Sequence, residues 1–250
     1  MKIVAITASP RDRGACYNIV QEIKKNLSIT VSNLDFLIYN LYDMNLEYCE
    51  GCLSCFSNHK CIVEDDINII KDALISSDYI IFASPVYFQN VSAIMKNLID
   101  RLSYWSHTME LVGKLGIIIT TSQNNGNDET AAYIQKFFSY LGIMTIAKFN
   151  YESFTCNKKQ FIQQLNRITN KMKLYYNYDY IKTSVELENI FQFYKNKFNN
   201  YQSYYFKSET EIWESVIKKF ESFDDFFNHT RNSSKVGENI DKKQNCCVTS

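Results

Sequence analysis

Three short apolar runs constrain this chain most. Lys2–Ala8 (KIVAITA), Asp78–Ala83 (DYIIFA) and Leu115–Thr121 (LGIIITT) are apolar almost throughout, with little alternation of polar and apolar positions. Strands of that kind are buried on both faces, as in a parallel sheet. Leu34–Leu41 and Met144–Phe149 add two more. Between them lie segments with helical spacing: Tyr17–Leu27, Asp66–Ser76, Ser92–Leu102, Glu129–Leu141 and Gln160–Leu174. In the first, Ile19, Val20, Ile23 and Leu27 share one face. The alternation predicts an α/β fold: a doubly wound, five-stranded parallel sheet with helices on both faces. Its ligand crevice is expected at the carboxyl ends of the strands.

From about Lys182 the pattern changes. Glu186–Asn199 and Ser208–Phe227 read as aromatic-rich helices, and no further strand follows. Ile212, Trp213, Val216, Ile217, Phe220 and Phe223 recur near helical spacing, a stripe that must be covered. The expected organisation is a sheet domain over 1–181, a helical extension over 182–227 and a flexible polar tail over 228–250.

The chain has 250 residues, 46% of them hydrophobic, which is enough for a sizeable core. Its 27 basic and 27 acidic residues cancel, so no basic field points to nucleic acid. No apolar run is long enough to span a bilayer, and no export signal opens the chain, so the expected compartment is the cytoplasm. The last four residues, Cys247-Val248-Thr249-Ser250, have the form of a prenylation box in a eukaryotic setting. Membrane contact is expected only if Cys247 is lipidated.

Three loops leave strand ends and converge on the expected crevice. Ser9-Pro10-Arg11-Asp12-Arg13-Gly14-Ala15-Cys16-Tyr17 joins the first strand to a helix. Such a loop offers free backbone N–H groups to a phosphate, with a hydroxyl from Ser9 and a cationic fork from Arg11; an ordinary βα turn is the plainer reading. No G-x-G-x-x-G is present. After the third strand comes Ala83-Ser84-Pro85-Val86-Tyr87-Phe88-Gln89-Asn90, holding one of only two prolines. Its aromatic rings suit a flat cofactor, and Gln89 and Asn90 suit that cofactor's polar edge. The third loop, Thr121-Ser122-Gln123-Asn124-Asn125-Gly126, leaves the fourth strand.

A fourth loop, Cys49–Cys61 (CEGCLSCFSNHKC), has the spacing C-x2-C-x2-C-x5-C. Such a compact run can wrap a 4Fe–4S cluster. Four thiolates also satisfy zinc, though usually from two separated knuckles. A third alternative is no metal at all, and disulfides fit a cytosolic chain least. The three histidines are scattered, and no acid–base constellation stands out, which fits chemistry performed by a cofactor.

SPRxxG after the first strand, SPVYFQNVSAIMKNLIDR after the third and the cysteine loop between them together resemble the NADPH-dependent FMN reductases of the flavodoxin-like superfamily. Within these the set is most similar to the iron–sulfur flavoproteins. The resemblance covers roughly Met1–Leu174 and implies a flavodoxin-like fold, bound FMN and FMN-dependent oxidoreductase activity. It implies phosphate contacts at Ser9, Arg11, Gly14 and Cys16, and ring contacts at Pro85, Val86, Tyr87, Phe88 and Gln89, with Ser122 and Gly126 from the third loop. The family usually places Asn or Ser, then Thr or Ser, after the loop glycine; here Ala15 and Cys16 stand there. The resemblance implies Cys49, Cys52, Cys55 and Cys61 as ligands of a 4Fe–4S cluster. It also implies NAD(P)H as a candidate electron donor, a small molecule or protein as donor or acceptor, and a homo-oligomer. The alternatives are an FMN-only NAD(P)H-dependent quinone or flavin reductase without a cluster, and a redox carrier whose tail selects the partner.

Overall fold

A computed structural model describes residues 1–11, 13–200 and 207–236. The apolar runs become β1 (Lys2–Thr7), β3 (Tyr79–Pro85) and β4 (Leu115–Ser122), with β2 (Asp35–Asn40) and β5 (Met144–Glu152) outside them. All neighbours pair in parallel, in the order β2-β1-β3-β4-β5. The chain steps to one side of β1 for β2 and to the other for β3. The carboxyl ends of β1 and β3 therefore flank the switch point where a doubly wound sheet opens its crevice.

The helices are α1 (Ala15–Ser28), α2 (Ser54–Asn58), α3 (Ile67–Ser76), α4 (Ala93–Arg101), α5 (Asn127–Tyr140) and α6 (Lys158–Asn177). Successive strand residues point to opposite faces, so each strand feeds two cores. Ile3, Ala5, Ile81 and Ile117 pack under α1 and α6, through Ile19, Ile23, Leu165 and Ile168. Val4, Ile6, Phe82 and Ile118 pack under α3, α4 and α5, through Ile70, Leu98 and Phe138. Among the described residues up to this point, three short elements were not expected: a 3-10 segment, Leu41–Asp43, after β2, α2 inside the cysteine loop, and a 3-10 segment, Ser103–Thr108, after α4.

Three more helices follow: α7 (Val185–Asn200), α8 (Lys207–Lys219) and α9 (Phe223–Val236). Phe191, Tyr194, Trp213, Phe223 and Phe227 belong to the same core as α1 and α6. The aromatic stripe is thus buried against the sheet domain of its own chain. Two expectations need correction. The helix anticipated over Ser208–Phe227 is two helices, broken at Phe220–Ser222. The cause is a capping pair: the Asp225 N–H donates to Ser222 Oγ at 3.2 Å, and the Ser222 hydroxyl donates to Asp225 Oδ2 at 2.6 Å. The flexible tail anticipated from Asn228 instead begins as helix, down to Val236. Its buried Asn228 and Arg231 are tied to backbone groups. Asn228 accepts from the Ile181 N–H at 2.7 Å and donates to the Ile181 carbonyl at 2.8 Å, and Arg231 donates to the Tyr175 carbonyl at 2.8 Å. The box at Cys247 lies outside the described residues.

Candidate functional site

The first loop is built around a gap that only glycine leaves open. Ser9 is buried, and its Oγ accepts from the Arg11 N–H at 3.3 Å; the Gly14 N–H donates to the Arg11 carbonyl at 3.0 Å. A Cβ on Gly14 would stand 2.9 Å from Ser9 Oγ and 3.2 Å from the Arg11 carbonyl. No side chain caps α1 at Gly14, so its first N–H groups remain for an anion. The Arg11 side chain is exposed at the rim. These features fit a phosphate cradle.

Cys16 does not use its side chain there. Its thiol is 1% exposed and lies 3.2 Å from Thr121 Oγ1, at the end of β4. Burial pushes its pKa up to about 11, against the hydrogen bond to Thr121. What Cys16 can give a phosphate is its backbone N–H.

The second loop is a tight turn. The Tyr87 N–H donates to the Asn90 carbonyl at 2.9 Å, and the Asn90 N–H returns a bond to the Tyr87 carbonyl at 3.2 Å. Phe88 and Gln89 between them have φ of 47° and 64°, a left-handed pair rare for non-glycine residues. The turn holds Phe88 fully exposed (100%), with Tyr87 about half so. Serines anchor its base: the Ser92 N–H donates to Ser84 Oγ at 3.0 Å, and the Ser92 hydroxyl donates to the Ala8 carbonyl at 2.9 Å. The Val86 N–H donates to the Thr121 carbonyl at 2.9 Å. The third loop presses on the same turn, since a Cβ on Gly126 would meet Val86 Cγ1 at 2.6 Å and Gln89 Oε1 at 3.1 Å. Asn127 donates to Ser122 Oγ at 2.9 Å, while its own Oδ1 is buried without a partner. The structure therefore brings Pro85, Val86, Gln89, Ser122 and Gly126 together, beside displayed Tyr87 and Phe88.

In the cysteine loop all four thiols line one concavity, with Phe56 and Arg101 among the other walls. Cys49 and Cys52 are exposed, whereas Cys55 and Cys61 are half-buried. Gly51, Leu53 and His59 are left-handed, at φ of 67°, 61° and 51°. Among the described residues, no three of His, Cys, Asp and Glu stand close enough to hold a metal ion, and the six cysteines described are free thiols. The donor set thus suits a thiolate-bound centre, but the ligands do not converge.

The feet of this loop are tied down by Asn97 and Arg101 of α4 and by Asp65, just before α3. Arg101 Nη1 donates to Asp65 Oδ2 at 2.6 Å and to the Glu47 carbonyl at 2.6 Å, and Nη2 donates to Asp65 Oδ1 at 3.0 Å. Asp65 also accepts from the Glu47 N–H at 2.8 Å and the Ile67 N–H at 3.1 Å. Burial alone would raise the Asp65 pKa, but the Arg101 bond and these backbone N–H groups hold it below the ordinary carboxylate range. Asn97, one turn before Arg101, donates to the Leu46 and Glu47 carbonyls at 3.3 and 3.1 Å. The signal was there: Asn97 and Arg101, four apart, share the inward face of α4 with Leu98. From outside, α8 leans on the same region. The Trp213 indole N–H donates to the His107 carbonyl at 2.7 Å, Glu209 pairs with His107 Nδ1 at 3.0 Å, and the His107 ring packs on Phe56 at 4.8 Å.

Comparison with known proteins agrees with this geometry. The family model described as NADPH-dependent FMN reductase matches residues 1–154. An iron–sulfur flavoprotein of Archaeoglobus fulgidus is 33% identical over 147 residues, which is 58% of this chain and 66% of that protein. One of Methanocaldococcus jannaschii is 34% identical over 140 residues, covering 55% and 72%. About a third of each relative thus lies outside the match. Among solved structures, the apo form of an NADH:FMN oxidoreductase superposes with a TM-score of 0.55 at 16% identity, covering 70% of this chain and 89% of that one. At that identity the likeness concerns the fold, which is flavodoxin-like.

Proposed function

The chain belongs to the NADPH-dependent FMN reductase family, and from that premise we propose that it is an FMN-dependent oxidoreductase with a 4Fe–4S cluster in its cysteine loop. One observation carries the reading: three strand-end loops meet in one crevice, through Val86–Thr121, Ser92–Ala8 and Gly126–Val86, and all four thiols line one pocket at the C-terminal end of α4. Ser9, Arg11 and the open first turn of α1 bind the phosphate. The turn Val86–Gln89, pressed by Gly126, orients the ring, and Tyr87 and Phe88 shield it from water. Cys49, Cys52, Cys55 and Cys61 supply the cluster ligands. When bound, FMN exchanges electrons in pairs or singly, and a cluster exchanges them singly. The donor and acceptor are then small molecules or proteins, NAD(P)H among the donors. The proposed compartment is the cytoplasm, where cysteines stay reduced and can ligate a centre, and the proposed assembly is a homo-oligomer. Among the described residues no helix is long and apolar enough to cross a membrane.

A second reading, an FMN reductase without a cluster, draws on the unconverged thiols. Anaerobic reconstitution with iron and sulfide separates the two. The expected product holds FMN and about four iron and four sulfide per chain, the content of one such cluster. Arg11→Ala should bind FMN roughly 10- to 100-fold more weakly, the scale of one charge-assisted hydrogen bond. Full FMN occupancy with no iron uptake would leave the FMN-only reading. Unchanged FMN affinity in Arg11→Ala would remove the phosphate assignment.

A further inference from the structure

Arg101 does not spend all its donors on the feet of the loop. Its side chain reaches under the cysteine loop, and the residue is 3% exposed. Two of its nitrogens are committed to Asp65 and the Glu47 carbonyl. The third, Nε, is buried with no hydrogen-bond partner, a state that native structures seldom leave without a reason. The same guanidinium lines the pocket of the four thiols. Burial works against its charge, but the bond to Asp65 and the attractions of Asp65 and Cys61 outweigh that and raise its pKa.

A second cation stands nearby. Lys71 of α3 is 7% exposed, and its ammonium lies 5.3 Å over the Tyr104 ring. The Tyr104 hydroxyl donates to the His59 carbonyl, inside the cysteine loop, at 3.5 Å. Lysine is almost never buried to this degree unless paired, yet the carboxylate that acts on its charge, Asp65, is already engaged by Arg101. Burial lowers the Lys71 pKa, and Cys61 and Cys55 oppose that. Glu50 and Asp100 also line the thiol pocket, but Glu50 is exposed and Asp100 is paired with Lys96, so the buried charges acting on the thiols are Arg101, its partner Asp65 and Lys71. Tying down the loop explains the Arg101–Asp65 pair, but it explains neither Nε nor Lys71.

We propose that Arg101 Nε–H is a donor to the sulfur set of the cysteine loop, with Lys71 as a second buried charge behind it, and that the two are positioning residues that fix the potential of the centre held there. This rests on the cluster reading given above. A one-electron reduction by an external reductant adds one negative charge to the sulfur set, and no proton moves. Arg101 stays charged throughout, so fixed positive charge meets the added electron and favours the reduced form, and the Lys71 ammonium adds to it. Hydrogen bonds to cluster sulfurs act in the same direction.

The test uses the full chain, reconstituted anaerobically with iron and sulfide and titrated with dithionite while its electron paramagnetic resonance is followed. Lys71→Met removes the charge and keeps the length; Arg101→Lys keeps the charge and removes the fork. Lys71→Met should lower the reduction equilibrium constant about tenfold, a shift of 59 mV to more negative potential for one electron. Arg101→Lys should shift it the same way, with iron and sulfide content retained. The FMN potential, read in the same titration, should stay in place. A merely structural role would change the amount of cluster but not its potential. Loaded Lys71→Met with the wild-type potential overturns the proposal and leaves the cluster reading standing, even if Arg101→Lys does not fold. Wild-type protein that takes up no iron or sulfide overturns both.

Discussion

The flavin crevice sits on the strand ends of the sheet and the cysteine loop packs beside the C-terminal end of α4, and the two are held in opposite ways. In the crevice the contacts reach the working residues themselves: buried Ser9, Ser84 and Ser92 bond backbone groups, and Gly126 is wedged against Val86. In the cysteine loop the strongest contacts stop at the feet, Asn45–Glu47 and Asp65–Ile67. The arch above them carries two exposed thiols, and a Cβ on Gly51 would meet nothing within 4 Å. One site is preorganised by the sheet. The other has its anchor points set and its ligands still apart, as expected where binding a centre supplies the energy of closure.

The hardest way to break this contrast is to cut the feet. Asp65→Ala leaves Arg101 buried without its carboxylate and should cost about 3–5 kcal/mol in urea unfolding. FMN affinity should barely move, because no crevice contact runs through Asp65. Loss of FMN in step with stability would show the two regions to be one unit. The pair also has a pH signature. The folded Asp65 pKa is depressed, so its stabilisation is present above the unfolded carboxylate value, near 3.9, and is lost as pH falls through the folded value. Wild type should therefore lose stability in acid that Asp65→Asn has already lost at neutral pH. Parallel acid curves for the two proteins would contradict this.

A finer comparison uses two glycines with the same kind of backbone. Gly126 and Gly51 have φ of 82° and 67°, so alanine at either meets a left-handed penalty of about 1–2 kcal/mol. Only at Gly126 does the Cβ also run into neighbours, adding an overpacking cost of about 1–3 kcal/mol. Gly126→Ala should lower the melting temperature more, and it should weaken FMN by displacing the Val86–Gln89 turn. Gly51→Ala should leave FMN binding alone. Equal melting losses and equal FMN affinities for the two variants would mean that the crevice is no tighter than the arch.

What could be read in advance follows the same division. The five parallel strands and the loops at their carboxyl ends were legible because unbroken apolar runs and helical spacing are local signals; the order β2-β1-β3-β4-β5 came only with the structure. The Tyr87–Asn90 turn was seen as a flavin loop, but its left-handed Phe88 and Gln89 carry none of the glycine or asparagine that marks such backbone. Arg101 left a local signal with Asn97 on the inward face of α4, but Asp65 and Lys71 are ordinary in their own segments and acquire a role only when α3, α4 and the loop are brought together. The break at Phe220–Ser222 was readable as Ser-x-x-Asp and was overridden by the continuous aromatic stripe. The helix through Asn228–Val236 was hidden because polar composition says nothing of partners such as Ile181 and Tyr175.

The smallest expected effect concerns Cys16, which the family resemblance placed on the phosphate and the structure turns toward Thr121. Serine at that position keeps a hydrogen bond to Thr121 Oγ1 and places no new group in the loop. Cys16→Ser should therefore change FMN affinity by no more than about twofold, well below the scale of a lost hydrogen bond. A tenfold gain in affinity would mean that the side chain does reach the phosphate. Alkaline unfolding gives an independent check. The folded thiol titrates at about 11, raised from 9.0 by burial. A raised folded pKa means the stabilisation is complete below the unfolded value and is lost as pH rises from there to the folded one. Wild type should lose stability between those two values at up to about 1.4 kcal/mol per pH unit relative to Cys16→Ser. The buried tyrosines that also ionise there are common to both proteins and cancel in the difference. A flat difference curve over that window would place the Cys16 thiol in contact with solvent, on the crevice side of α1 rather than against β4.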